Sequence, residues 1–215
     1  MRMNRLFDPN NLLFRELSHL VDLVGLSLLW LLLSVPVVTL GPATAALYHT
    51  AVKGLRRGDP ATFTRYLRSF RENLKEGTLV TLVLLPLALL MKLGLDIMVT
   101  NAGREQGMLL LVIYVAVLLI PVGCLCWLFP LLGRFSFSVK ELFQTALRLT
   151  LAHLPVTMLI AAVTAGVVVL MGLLVWPVLL LPMLTALVLS FPMERVFARY
   201  MTQEEEDPLA EGEEL

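Results

Sequence analysis

Few residues in this chain have side chains that could do chemistry, and most of them sit inside apolar runs. Lys92 and Asp96 stand four apart in MKLGLD, so a helix puts them on one face, where they can pair. A charge at mid-bilayer costs about 2.5–3.5 kcal/mol. The pair therefore reads either as a polar point in a solute or ion path or as a self-neutralised pair snorkelling at the outer end of a long helix, and the second is expected. His153, in LAHLP, could titrate near neutral pH or bind a headgroup; a hydrogen bond to a carbonyl freed by Pro155 is the expectation. His49 follows shortly after the motif Gly41-Pro42-Ala43-Thr44, in which glycine and proline both weaken a helix. Asp22 could cap a helix or face inward, and capping is the expectation.

Cys124 and Cys126 lie together in an apolar segment with no His or carboxylate nearby, so they read as two small buried thiols. No third ligand assembles a metal site. There is no nucleophile–base pair, phosphate loop or carboxylate pair either. A non-enzymatic protein without cofactor is expected.

The elements around these residues are those of a membrane. Of the 215 residues 58% are hydrophobic and 16% charged, and the mean hydropathy is +0.81, outside the range of ordinary soluble domains. The net charge of zero hides an asymmetry. Glu204, Glu205, Glu206, Asp207, Glu211, Glu213 and Glu214 form an acidic tail, which leaves ten acids against 17 bases in the body. Lipid headgroups account for the basic body, and no basic groove interleaved with aromatics points to nucleic acid. The N-terminus lacks the pattern of a cleaved signal peptide.

Hydropathy and charge predict an all-α polytopic bundle of about five spans, near 23–40, 77–100, 107–133, 151–172 and 177–193. Interfacial amphipathic helices are expected near 10–22, 60–76 and 138–148, the last two on the cytoplasmic side. Residues 1–203 form one membrane domain, and 204–215 an acidic cytoplasmic tail without fixed structure. In the second interfacial helix Phe63, Tyr66, Leu67, Phe70 and Leu74 share a face, turning Arg65, Arg68, Arg71 and Lys75 toward lipid phosphates or a partner. Ser138 and Glu141 fit a capping box that starts the third. Ala161, Ala162, Ala165 and Gly166 make a small-residue face for close helix packing.

The run from Leu23 through Val52 is too long for one straight helix across ~30 Å of hydrocarbon. It must end, bend or re-enter, and Pro36 and Gly41-Pro42 supply the places, the interruption being expected chiefly at Gly41-Pro42. With five spans the N-terminus is outside and the C-terminus inside. A re-entrant first segment would instead leave four crossings and both termini in the cytoplasm. The break is expected to be an elbow feeding the basic interfacial helix, the alternative being the wall of a solute site.

Taken together, FDPNNLLFRELSHLVDL, LLWLLLSVPVVTLGPATAALY, FTRYLRSFRENLKEG and FPLLGRFSFSVKELFQTALRLTLAHLPVT resemble the YesL family of bacterial multi-pass membrane proteins. The resemblance runs end to end except for the acidic tail. It implies a helical bundle in the bacterial cell membrane, of unknown function, encoded beside carbohydrate-uptake ABC transporters. An ABC permease is the implied partner, and a homo-oligomer is a further expectation. The family defines no catalytic or ligand residue.

Overall fold

Long uncharged runs must satisfy every backbone amide within the segment, which in a single chain of this kind leaves helices. The computed structural model describes residues 12–57, 61–104, 106–135, 137–174 and 176–206. Among them are α1 (Leu12–Leu33), α2 (Leu40–Lys53), α3 (Thr62–Glu72), α4 (Leu74–Asn101), α5 (Gly107–Arg134), α6 (Val139–Ala152), α7 (Leu154–Leu173) and α8 (Leu181–Glu206). Short 3-10 turns lie at Val37–Thr39, Leu55–Arg57 and Trp176–Leu179.

Four helices are long and apolar enough to cross a bilayer: Leu74–Asn101, Gly107–Arg134, Leu154–Leu173 and Leu181–Ala198. They form two hairpins in sequence. The first turns at 102–106, where Gly107 abuts the Asn101 carbonyl, and it is fastened further along by Tyr114 Oη donating to the Met91 carbonyl at 2.9 Å. The second turns between Leu173 and Leu181, with Trp176 81% exposed. Helix α5 continues through Pro121 and Pro130. Large apolar side chains such as Leu90, Ile97, Val112 and Val117 are exposed along α4 and α5, a surface that suits lipid and would be costly in water.

The first apolar run departs from expectation. The segment 23–40 is not one span: α1 ends at Leu33, and the chain turns through Ser34–Thr39. The break falls at Pro36, whose ring and missing N–H stop the helix, and not at Gly41-Pro42. Those two residues lie in the first turn of α2, where a proline costs no intrahelical bond. Nor is there a separate interfacial helix at 10–22, since from Leu12 onward the chain is the same helix as the apolar run. Residues 10 and 11 lie outside the described residues. Asp22 is consequently mid-helix and caps nothing.

Helix α2 folds back on α1. Thr39 Oγ1 donates to the Leu33 carbonyl at 2.6 Å, Trp30 Nε1 donates to Thr44 Oγ1 at 3.1 Å, and Leu26 packs in one cluster with Ala46, Leu47 and Ala51. Successive contacts step backwards along α1 as they step forwards along α2, so the two helices are antiparallel. Helix α2 is buried at Gly41, Pro42, Ala43, Ala45, Ala46, Leu47, Tyr48, Thr50, Ala51 and Val52.

Its neighbours come close because both sides are small. A Cβ on Gly41 would lie 2.6 Å from the Gly77 carbonyl, one on Gly77 2.9 Å from Pro42 Cα, and one on Gly133 would run into the Ala45 carbonyl. The Gly41 N–H, an orphan donor of the first helical turn, donates to Thr81 Oγ1 of α4 at 3.1 Å. The main core joins Tyr48 and Val52 of α2 to Trp127, Leu128 and Leu131 of α5, Leu142 of α6, Ile160 of α7, and Met193 and Phe197 of α8. Trp127 Nε1 donates to Thr157 Oγ1 at 3.0 Å.

Three further expectations need revision. On α3 the buried residues are Thr62, Tyr66 and Ser69, while Phe63 and Leu67 are partly exposed. The predicted aromatic face is split: Tyr66 is buried against α2 together with Thr62 and Ser69, while Phe63 lies over Gly25 of α1. On α7 only Ala161 of the small-residue face is buried, and Gly166 has nothing within 4 Å of a Cβ position. Among the described residues no helix packs against Gly166. Helix α8 carries on through Glu206, so the acidic tail begins as helix, as befits consecutive glutamates; residues 207–215 lie outside the described residues. The helix over 138–148 appears as α6, with the Ser138–Glu141 capping box in place.

Replacing Gly133 by Ala should lower stability by about 1–3 kcal/mol, the usual cost of overpacking. Gly166→Ala should change it by less than about 0.5 kcal/mol, as surface substitutions do. Thermal unfolding of the detergent-solubilised protein compares the two.

Candidate functional site at the basic end

Polar side chains converge where α2, α3, α5 and α8 meet. Tyr48 Oη donates to Glu194 Oε1 at 3.1 Å. The other oxygen of Glu194 pairs with Arg134 at 3.4 Å, the two side chains being 17% and 19% exposed respectively. Arg134 Nε is buried without a hydrogen-bond partner. The Arg56 guanidinium stacks over the Phe191 ring at 4.4 Å, a cation–π contact that keeps charge at the helix end. This one cluster draws on three sequence-distant segments: α2 with the turn after it, the end of α5, and α8. It was legible only in that Glu194 is the sole acid at the end of an uncharged 45-residue run and is followed by bases; nothing local names Tyr48 or Arg134 as its partners.

Beside this cluster, His49 Nδ1 lies 2.7 Å from the Gly133 carbonyl. A carbonyl only accepts, so Nδ1 carries the proton and Nε2 is the nitrogen that titrates. Burial holds the His49 pKa below the ordinary value; the charges of Lys53 and Arg65 push the same way, against the Gly133 hydrogen bond and Glu72. His49 forms one wall of a cavity of about 230 Å³, whose other walls come from α3 and the residue before it: Ala61, Thr64, Arg65, Arg68, Ser69 and Glu72. Tyr66, on the inner side of α3, is buried, and its hydroxyl donates to the Ala43 carbonyl at 3.2 Å. That burial raises its pKa, so the phenol stays neutral and serves as a donor.

A larger cleft of about 510 Å³ lies between α1, α2, α5, α7 and α8. Its lining is mainly apolar, with Trp30, Phe129, Ala161, Val168 and Met171 among the walls. Thr44 lines it, but its hydroxyl already accepts from Trp30 and donates to the Leu40 carbonyl at 2.7 Å. Cys126 is also on the wall, while both cysteines are free and partly buried.

The remaining sequence candidates do not meet. Lys92 and Asp96 pair with each other at 2.7 Å on the outside of α4, 71% and 57% exposed, and border neither cavity. His153 sits at the joint between α6 and α7, where its carbonyl accepts from Thr157 N at 2.9 Å. Gly41 and Pro42 are packed against Gly77 and Thr81. Arg65 and Arg68 reach the small cavity, whereas Arg71 and Lys75 are exposed beyond it.

An all-helical chain with four bilayer-length apolar helices and a packed basic end defines a helical membrane-type protein. Residues 23–95, from the apolar part of α1 into α4, match the family described as Protein of unknown function, DUF624. Over 154 residues, 70% of this chain and 72% of the relative, the sequence is 26% identical to the Uncharacterized protein YesL of Bacillus subtilis (strain 168). The chain is thus similar to YesL over most of its length, and over residues 23–95 to a family of unknown function. No solved structure matches.

Glu194→Ala should destabilise the protein by about 3–5 kcal/mol, because it strands the largely buried Arg134 charge. Tyr48→Phe, which removes one hydrogen bond to a charged group, should cost about 1.5–3 kcal/mol. Urea or thermal unfolding in detergent measures both, and a double-mutant cycle should show the two effects coupled.

Proposed function

We propose that this chain is a four-crossing protein of the bacterial cell membrane whose α1–α2 pair enters and leaves from the cytoplasmic side, and that it acts by binding partners without catalysis. The fold-back of α1 and α2 supports four crossings over five. Charge supports the orientation: Lys53, Arg56, Arg65, Arg68 and Arg71 precede α4, Lys75 lies in its first turn, Arg134 ends α5, and Arg195 lies near the end of the apolar part of α8, so one side of both hairpins is basic and belongs in the cytoplasm. Helices α3 and α6 then lie at that face as amphipathic elements.

The observation that carries the choice between scaffold and solute path is the packing of Gly41-Pro42. A solute site at a broken helix needs exposed backbone groups and room beside them. Here the Gly41 N–H is taken by Thr81, and Gly77 closes the space. The mainly apolar cleft and the outward-facing Lys92–Asp96 pair favour the same reading. The working surface is then the cytoplasmic one, comprising the arginine edge of α3 and the acidic end of α8. Its partner, by the YesL resemblance, is a membrane component of carbohydrate uptake such as an ABC permease.

Two experiments test this. Reporter fusions at the two termini should both read as cytoplasmic, and a cysteine placed at Gly103 should label with an impermeant maleimide from outside the cell; an N-terminus found outside would sink the four-crossing reading. A crosslinker at Arg68 should capture a permease from native membranes, with recovery falling at least severalfold when the tail from Glu204 is removed. Recovery of no membrane transporter by the intact protein would sink the accessory role.

A further inference from the structure

The cavity between α2 and α3 shares its arginines with the proposed partner surface, but it also has a threonine, a histidine and an enclosed volume that a partner surface does not need. Ala61, Thr64, Arg65, Arg68 and Glu72 recur at three- and four-residue spacing, so they form one stripe of α3 and its approach. That stripe faces His49 across a space of about 230 Å³. At roughly 30 Å³ per water this is room for seven or eight waters, or for a phosphate group with the first atoms of its ester.

We propose that this cavity binds a phosphate-bearing anion, with the Arg65 and Arg68 guanidinium groups and the Thr64 hydroxyl as donors and His49 as the group that takes up a proton on binding. Guanidinium groups suit phosphate oxygens because their donors form a planar fork. His49 is already fixed with its Nδ1 proton on the Gly133 carbonyl, so an added proton goes to Nε2 and turns an acceptor into a second donor. The charged groups facing His49 are Lys53 on its own helix and Arg65, Arg68 and Glu72 on α3, while α5 contributes the neutral Gly133 carbonyl. The cations among them resist protonation, and an anion in the cavity offsets them.

The sign follows from linkage. Binding that stabilises the imidazolium must itself strengthen when protons are supplied. Affinity therefore rises as pH falls through the His49 pKa of the occupied protein, and is flat above it. Glu72 opposes the anion, so its neutralisation should tighten binding at every pH.

The anion has two possible sources, a soluble phosphate and the phosphate of a membrane lipid. The full chain is tested in detergent with inorganic phosphate by calorimetry, and in nanodiscs of phosphatidylglycerol or phosphatidylcholine by counting retained lipids in native mass spectrometry. Binding of either phosphate or phosphatidylglycerol supports the site and names its source. Affinity should increase about tenfold more between pH 7.5 and pH 5.5 in wild type than in His49→Gln, the size of a pKa change near one unit. Arg68→Gln, at an exposed position that leaves folding intact, should weaken binding at least fivefold, and Glu72→Gln should strengthen it. Failure of both probes to bind, indifference to Arg68→Gln, or an unchanged pH profile in His49→Gln would each overturn the proposal. None of these readouts depends on a permease, so the site can fail while the accessory role stands.

Discussion

Backbone-to-backbone contact around α2 is the constraint on which the other elements depend. Helices approach closely only where the facing residues lack side chains, and the stretch from Gly41 to Ala46 is almost free of them. Gly77 presses on Pro42, Gly133 on the Ala45 carbonyl, Tyr66 reaches the Ala43 carbonyl, and Tyr48 reaches α8. One 14-residue helix, about 21 Å long, thereby sets the relative positions of α3, α4, α5 and α8. A glycine–proline pair usually signals an interruption. In this fold it supplies an N-terminus that a neighbouring threonine completes.

The polar groups divide by depth of commitment. Within the bundle the buried ones are hydroxyls, among them Thr50, Thr81, Thr150 and Thr157, each bonded to a carbonyl or a neighbouring donor. A hydroxyl that finds a partner costs little to bury, whereas a charge costs several kcal/mol unless paired. The Arg134–Glu194 pair accordingly sits at the end of α5 and near the end of the apolar part of α8, with Tyr48 supplying a further donor. Exposed Lys92 and Asp96 solve the same problem differently, by neutralising one another.

Much of the fold could be read from the sequence because length and charge alone constrain it. The 27-residue run from Gly107 to Gly133 and the hairpin folded near Trp176 follow from bilayer thickness, and both stand within a few residues of where they were expected. The first run was harder. Hydropathy is blind to direction: Pro36 marks a place where the helix can end, but not whether the chain beyond it crosses or folds back. The face of α3 was only partly legible, because periodicity reports which residues resemble one another, while burial depends on what the neighbour offers, and α2 takes Tyr66 with Thr62 and Ser69 and leaves Phe63 to α1. The Tyr48–Glu194 contact links positions 146 apart, and a single sequence carries no record of such pairs.

The buried residues of α4 are Gly77, Val80, Thr81 and Leu84, all in its first half, and those of α5 lie from Gly123 onward apart from Gly107 at the turn. The distal half of this hairpin is thus a two-helix arm, gripped at its foot and pinned midway by Tyr114. Each helix is about 42 Å long against roughly 30 Å of hydrocarbon, so the arm has to lean. Its angle of lean belongs to the bilayer, but its pivot belongs to the protein. The pivot is the glycine contact with α2, so a thicker or thinner membrane would act on the basic end through a lever.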